Sequence, residues 1–141
     1  MEEVFKFEKR YWYPHLKPRD ITIWERFILK YPDAYEFVQY DLHIGDPPLF
    51  NTLWGDGFDA HQDALYRLKI DVVGHVGDEI HIIELKPLAS TGAIGQVNSY
   101  ADIYARDFRP TKKLKKQLIT DVEKPNIRYL CKINDIELII V

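Results

Sequence analysis

The stretch of residues 68–86, LKIDVVGHVGDEIHIIELK, constrains the fold of this chain more than any other. Gly77-Asp78 reads as a two-residue hairpin turn, with glycine in the first central position as a type II′ turn favours. Val76 then faces Glu79, and carrying that register back along both strands sets Asp71 directly opposite Glu84. Side chains alternate between the faces of a strand, so Lys86 shares the face of Glu84. Two acids and a lysine converge on one patch. Around them Ile70, Val72, Val73, Ile80, Ile82, Ile83 and Leu85 occupy both faces, the pattern of strands covered on two sides. The placement depends on the turn, because a slip of one residue would send Asp71 to the other face.

Like charges directly opposite in an antiparallel pair are destabilising. At a separation of about 5 Å and an effective dielectric near 20, two carboxylates repel by roughly 3 kcal/mol. Something positive should sit between them. Lys86 is one candidate, and a divalent cation is the other. Hard oxygen ligands suit Mg²⁺, which commonly takes one or two carboxylates and completes its shell with water and substrate phosphate. The plainer alternative is an exposed hairpin in which Glu and Lys happen to alternate with apolar residues.

Composition sets the frame. A chain of 141 residues is one domain of ordinary size. Its 46% hydrophobic and 29% charged residues are normal for a soluble globular protein. No stretch has the apolar length of a membrane span, and the start MEEVFKFEKR carries acids where a secretory signal has its apolar run. The expectation is a cytoplasmic protein with no membrane partner. Cys131 is the only cysteine, which excludes a disulfide framework and a cysteine-based zinc site within one chain. A net charge of −3 gives no global footprint for nucleic acid, so binding to a polyanion must use local patches.

Residues 1–19 form an aromatic and basic arm, with Lys9, Arg10, Tyr11, Trp12, Tyr13, His15, Lys17 and Arg19 close together and Pro14 and Pro18 opposing regular structure. Such an arm either packs its rings on the domain or stacks them on bases while its cations meet phosphate. Residues 20–141 read as a single domain. Asp20 is a plausible N-cap for a helix in which Ile21, Trp24, Phe27, Ile28 and Tyr31 follow helical spacing before Pro32. Glu25 lies on the flank of that stripe. Residues 36–44 alternate, with Val38, Tyr40, Leu42 and Ile44 on one face and Phe37, Gln39, Asp41 and His43 on the other.

Residues 46–64 have no sustained period and read as a long loop. Its Asp56, Asp59, His61 and Asp63 fit no calcium-loop spacing. A helix follows over residues 91–108, with Ser90 or Thr91 as cap and Ala93, Val97, Tyr100, Tyr104 and Phe108 facing inward. Gln96 and Tyr100, four apart, are neighbours on it. Next comes a basic run, Arg106, Arg109, Lys112, Lys113, Lys115 and Lys116, which is either a solvated connection or a phosphate-contacting patch. QLITDV at 117–122 reads as a strand, Pro125 opens a short helix through Leu130 and Cys131, and IELIIV reads as a further strand. Strand, helix and strand in that order predict parallel pairing.

The order helix, strand, hairpin, helix, strand, with Asp71, twelve intervening residues and then Glu84-Leu85-Lys86, resembles the PD-(D/E)xK nuclease superfamily. Gln96-Val97-Asn98-Ser99-Tyr100, beginning ten residues after Lys86, is similar to the QxxxY pattern of the RecB-like and lambda-exonuclease-like branch. A glutamate in the first helix, here Glu25, is similar to a feature of many members, including Holliday-junction resolvases. WERFILKYPDAYEFVQYDLHIG and GQVNSYADIY look like the short members encoded by tailed phages. Ile70 stands where the motif's name has proline, and Pro87 directly follows Lys86.

The resemblance covers about residues 20–122. It implies a restriction-endonuclease-like αβββαβ core of the α/β class, a central mixed sheet flanked by helices, here with a C-terminal αβ extension. It also implies a Mg²⁺- or Mn²⁺-dependent nuclease acting on DNA in processing, recombination or packaging. On that reading Asp71, Glu84 and the Leu85 carbonyl bind the metal and Lys86 handles the attacking water. Glu25 binds the metal through water or holds a second ion, and Gln96 and Tyr100 contact metal-site water or phosphate. The competing expectation is a catalytically silent nucleic-acid-binding or virion-assembly protein on the same scaffold. A third is a subunit active only as a homo-oligomer or with a phage or replication partner.

Overall fold

A computed structural model of the chain describes residues 3–46 and 68–141. The expected loop therefore lies, beyond Asp46, outside the described residues, as do Asp56, Asp59, His61 and Asp63. In chain order the elements are β1 (Phe5–Lys6), α1 (Pro18–Lys30), β2 (Phe37–Ile44), β3 (Leu68–Val76), β4 (Glu79–Leu85), α2 (Thr91–Phe108), β5 (Lys113–Thr120), α3 (Pro125–Ile133) and β6 (Ile136–Ile140). The architecture is α/β. One mixed six-stranded sheet runs in the order β1-β2-β3-β4-β5-β6. Pairing is antiparallel from β1 to β4 and parallel from β4 to β6.

Helices cover both faces. Ile23, Trp24, Phe27 and Ile28 of α1 pack on Val38, Tyr40, Val72, Ile83, Leu85 and Ile119. Ala93, Ile94, Val97, Ala101 and Tyr104 of α2, with Ile127 and Cys131 of α3, pack on Ile70, Val73, Ile80, Ile82 and Leu118. The N-terminal segment adds β1 to the sheet and buries Phe7 and Tyr13 in the α1-side core, while Tyr11 and Trp12 stay exposed.

The hairpin has the expected register, with Val76 paired to Glu79 and Val72 to Ile83. Gly77 has φ +52°, and Asp78 is not among the left-handed residues, which fits a type II′ turn. Three other expectations need correction. Asp20 does not cap α1: Pro18 occupies the first turn, where its missing N–H costs nothing, and Lys17 is the cap. Asp20 instead sits inside the first turn. β5 begins four residues early, at Lys113, because Lys113–Lys116 pair with Glu79–Ile82 of β4. The basic run is thus partly strand rather than connection.

The third correction bears on the site. Val38, Tyr40, Leu42 and Ile44 are all buried but do not share a face: Val38 and Tyr40 lie in the α1-side core, Leu42 and Ile44 in the α2-side core. Between them Asp41 has φ +52°, in the left-handed region that aspartate tolerates better than most residues. That one residue reverses the alternation. β3 changes sides at the neighbouring position, with Ile70 in the α2-side core and Val72 in the α1-side core.

Gly74 admits the Tyr35 ring. A Cβ at this position would lie 2.5 Å from Tyr35 Cε1, so Gly74→Ala must displace an aromatic that hydrogen-bonds Gln117 at 2.7 Å. The expected loss is about 1–3 kcal/mol, read as a lower urea midpoint at unchanged slope. An unchanged midpoint would show that the ring is not confined.

Candidate active site

Regular pairing of the hairpin stops where the acids begin. Residues flanking a two-residue turn form a hydrogen-bonded pair, and such pairs recur at alternate positions. Val76/Glu79, Gly74/His81 and Val72/Ile83 follow this rule, and Ile70/Leu85 would be next. Instead, the Leu85 amide donates to Asp71 Oδ2 at 3.0 Å. The carboxylate takes the place of a strand carbonyl.

The register carried one step past Val72/Ile83 aligns Asp71 with Glu84, and on the other side Tyr40/Val72 and Leu42/Ile70 bracket Asp41 against Asp71. Three carboxylates therefore form a row across β2, β3 and β4. Glu84 is 6% exposed. Among the described residues no hydrogen bond or ion pair reaches its carboxylate, an orphaned buried acid of the kind that requires an explanation.

Burial raises the Asp71 pKa, with the Leu85 amide and Lys86 opposing and the charges of Asp20 and Asp41 adding to the rise. Burial raises Glu84 as well, and the Asp71 charge pushes it further against the pull of Lys86. Lys86 is exposed, just past the end of β4, where its amide donates to the Ile119 carbonyl at 3.0 Å. The following turn is pinned to the end of β5: the Leu88 amide donates to Asp121 Oδ1 and the Ala89 amide to Thr120 Oγ1.

From α2, Tyr100 has its pKa raised by burial and by the charges of Glu84 and Asp71, while a hydrogen bond from Gln96 opposes the shift. The structure thus gathers Asp71, Glu84, Lys86, Tyr100 and Gln96 at one place. Glu25 is engaged elsewhere, accepting a hydrogen bond from the Tyr13 hydroxyl at 2.8 Å. The α1 acid whose charge acts on both buried carboxylates is Asp20. Its own pKa is raised by burial, against the backbone of Lys17 and the charges of Lys17 and Lys86.

The basic run stands apart. Because β5 is parallel to β4, its first residue lies beside Glu79 at the turn end, whereas Ile119 lies beside Leu85. Six residues of strand separate the two positions, about 20 Å. Lys116 Nζ donates to Asn98 Oδ1 and the Asn134 carbonyl, tying α2 to the α3–β6 turn. Lys115 lies 4.0 Å from Glu79, and Arg106 pairs with Asp107 and Asp46. Arg109, Lys112 and Lys113 are exposed.

Residues that the sequence reading did not place here are Asp20, Asp41 and two histidines. His15 Nε2 and His43 Nε2 each lie 3.4 Å from Asp41 Oδ2. The cross-strand alignment of positions 41 and 71 was the one available signal.

Among the described residues no three His, Cys, Asp or Glu side chains could cage a metal unaided. A pair of buried carboxylates, one with no hydrogen-bond or ion-pair partner among the described residues, fits a cation that completes its shell with water and phosphate, as Mg²⁺ does. Comparisons with known protein families, with characterised proteins and with solved structures return no match.

Both buried carboxyls titrate above their unfolded values, so between those values the folded chain holds more protons than the unfolded one. Stability of the cation-free chain must then fall as pH rises through that window. Glu84→Gln removes most of this penalty. In EDTA near pH 8 the variant should be more stable than wild type by on the order of 1 kcal/mol, the difference closing toward about pH 4, where the unfolded carboxyls are themselves half protonated. A wild-type stability that climbs with pH over that range would contradict the assignment.

Proposed function

We propose that this chain is a Mg²⁺- or Mn²⁺-dependent nuclease that hydrolyses DNA phosphodiester bonds, built on a restriction-endonuclease-like core of the PD-(D/E)xK kind. The observation that carries the reading is the buried Asp71/Glu84 pair, aligned one step past the last regular pair of the hairpin, with the Lys86 charge acting on both and no hydrogen bond or ion pair to the Glu84 carboxylate among the described residues. A catalytically silent scaffold has no reason to bury an unpaired carboxylate, because a lone buried charge is costly.

Asp71 and Glu84, with the Leu85 carbonyl, are the residues that would hold the cation. When bound, it supplies Lewis-acid polarisation of the phosphoryl oxygen and a water of lowered pKa. The chain supplies the rest. The Leu85 amide holds one Asp71 oxygen and so fixes the direction of the other. Lys86, in solvent at the strand end, orients the attacking water and offsets the negative charge that develops as it attacks, the water's proton passing to solvent. Tyr100, hydrogen-bonded by Gln96, donates to a phosphate oxygen from the α2 side. Asp20 holds the Lys86 ammonium toward the site by charge. Lys113 stands six strand positions, about 20 Å, from the Leu85 end of the site, so a substrate held at the carboxylates reaches it only by running along the sheet for roughly six base pairs of duplex.

Magnitudes assign the main effect to the cation. One positioned acid-base group contributes about 10²- to 10⁴-fold, whereas very slow hydrolyses need on the order of 20 kcal/mol. The test is cleavage of supercoiled, linear, single-stranded and branched DNA with Mg²⁺, Mn²⁺ or EDTA. Cutting that requires the cation and that Lys86→Ala lowers by about two to four orders of magnitude is the expected result. No cutting of any substrate by a folded, cation-loaded protein would overturn the reading. Asp20→Asn should lower the rate by about tenfold through Lys86, while Glu25→Gln leaves it within about twofold; the reverse ranking would return Glu25 to the site.

A further inference from the structure

The outer side of β6 is unpaired among the described residues, since β6 ends the strand order. The Val141 amide donates to the Thr120 carbonyl at 3.0 Å, and Thr120 stands beside Ile140 in the register. In a parallel ladder, residues bonded to the neighbour alternate with residues whose N–H and C=O point away. Residues 137, 139 and 141 therefore serve β5, and Ile136, Leu138 and Ile140 present their backbone groups to the open edge.

That outward set is symmetric about Leu138. A second strand of the same sequence, running antiparallel, places Leu138 opposite Leu138 and Ile136 opposite Ile140. Each such pair exchanges both of its backbone hydrogen bonds. A shift by one residue would set outward groups against inward ones, and a shift by two would shorten the pairing, so the symmetric register is favoured. No like charges meet in it. Glu137 falls opposite Ile139, and its carboxylate already accepts from Gln117 Nε2 at 3.0 Å.

Edge strands usually carry charged side chains, proline or a covering segment that prevents such pairing. IELII has no lysine or proline, its one charge, Glu137, is held by Gln117, and among the described residues no strand pairs with its outer side. On the α1 side a recess of about 580 Å³ runs along the strand, lined by Phe27, Tyr31, Leu138, Ile139 and Ile140 among others. Lys30, Glu123 and Arg128 also line it, so it gives a partner strand room of mixed polarity beside the edge.

We infer that β6 is the docking edge for a second copy of this chain, the two sheets joining across a two-fold axis at Leu138. The contact is isologous, so it closes at two copies and uses up both β6 edges. β1, at the opposite edge, is only two residues long.

Light scattering or sedimentation on the full chain at micromolar to submillimolar concentration should give twice the 16.7 kDa chain mass. Leu138→Pro removes the N–H groups at the axis and no bond to β5. It should give the monomer mass with an unchanged far-ultraviolet circular dichroism spectrum. Because that variant can also disturb the strand, a second one tests the axis directly. In a Cys131→Ala background, Leu138→Cys should form a disulfide-linked dimer on mild oxidation, since paired Cα atoms about 5.5 Å apart are within disulfide reach. Asn126→Cys on α3 should not. A wild type that stays monomeric without a Leu138→Cys cross-link, or a dimer that a folded Leu138→Pro leaves intact, would overturn the inference.

Discussion

One hydrogen bond, from the Leu85 amide to Asp71 Oδ2, marks the point on which the rest of the site depends. Above it the hairpin is a regular antiparallel ladder. Below it a side chain replaces the carbonyl that the ladder would have used, and β2 and β3 exchange the cores they serve at Asp41 and Asp71. Strand side chains normally alternate between faces, so a reversal in two neighbouring strands at one row marks where the two cores exchange, with β2 and β3 still paired on both sides of it. Asp41 and Asp71 stand at that exchange, beside Glu84.

Energetics and chemistry meet at Glu84. The surrounding sheet is dry: Ile82, Ile83, Leu85 and Leu118 are all nearly inaccessible. Placing a carboxyl there, next to a second one, raises both pKa values and charges the cation-free fold a penalty that grows with pH. On the proposed reading, stability and function would be linked through one pair of groups: the same burial that penalises the two carboxylates would strengthen their interaction with a cation held between them.

Much of this was legible in the sequence because the hairpin is governed by local rules. A glycine-led two-residue turn fixes register, and register alone aligns Asp71 with Glu84. The α2 boundaries and the parallel β5–β6 pairing followed from helical period and element order for the same reason. What stayed hidden was not periodic. Nothing in WERFILKYPDAYEFVQYDLHIG announces that Asp41 takes a left-handed φ, so Leu42 and Ile44 were assigned to the face of Val38. Proline at the start of α1 shifted the helix by a few residues, which turned Asp20 from a cap into a residue within reach of the site and left Glu25 to Tyr13. Parallel pairing set the first lysine of β5, Lys113, beside Glu79 at the turn end, while Lys116 came to lie beside Ile82, where its ammonium is taken by Asn98 and the Asn134 carbonyl.

The central claim is that the Asp71/Glu84 pair is a cation site, and the most direct measurement is Mn²⁺ binding to the purified chain by paramagnetic resonance or calorimetry. Wild type should bind more tightly as pH rises, because the cation displaces the protons that burial keeps on the two carboxyls, and Mg²⁺ should compete. Glu84→Gln should lose most of that affinity. Binding that is absent from the folded wild type, or that Glu84→Gln leaves unchanged, would contradict the account.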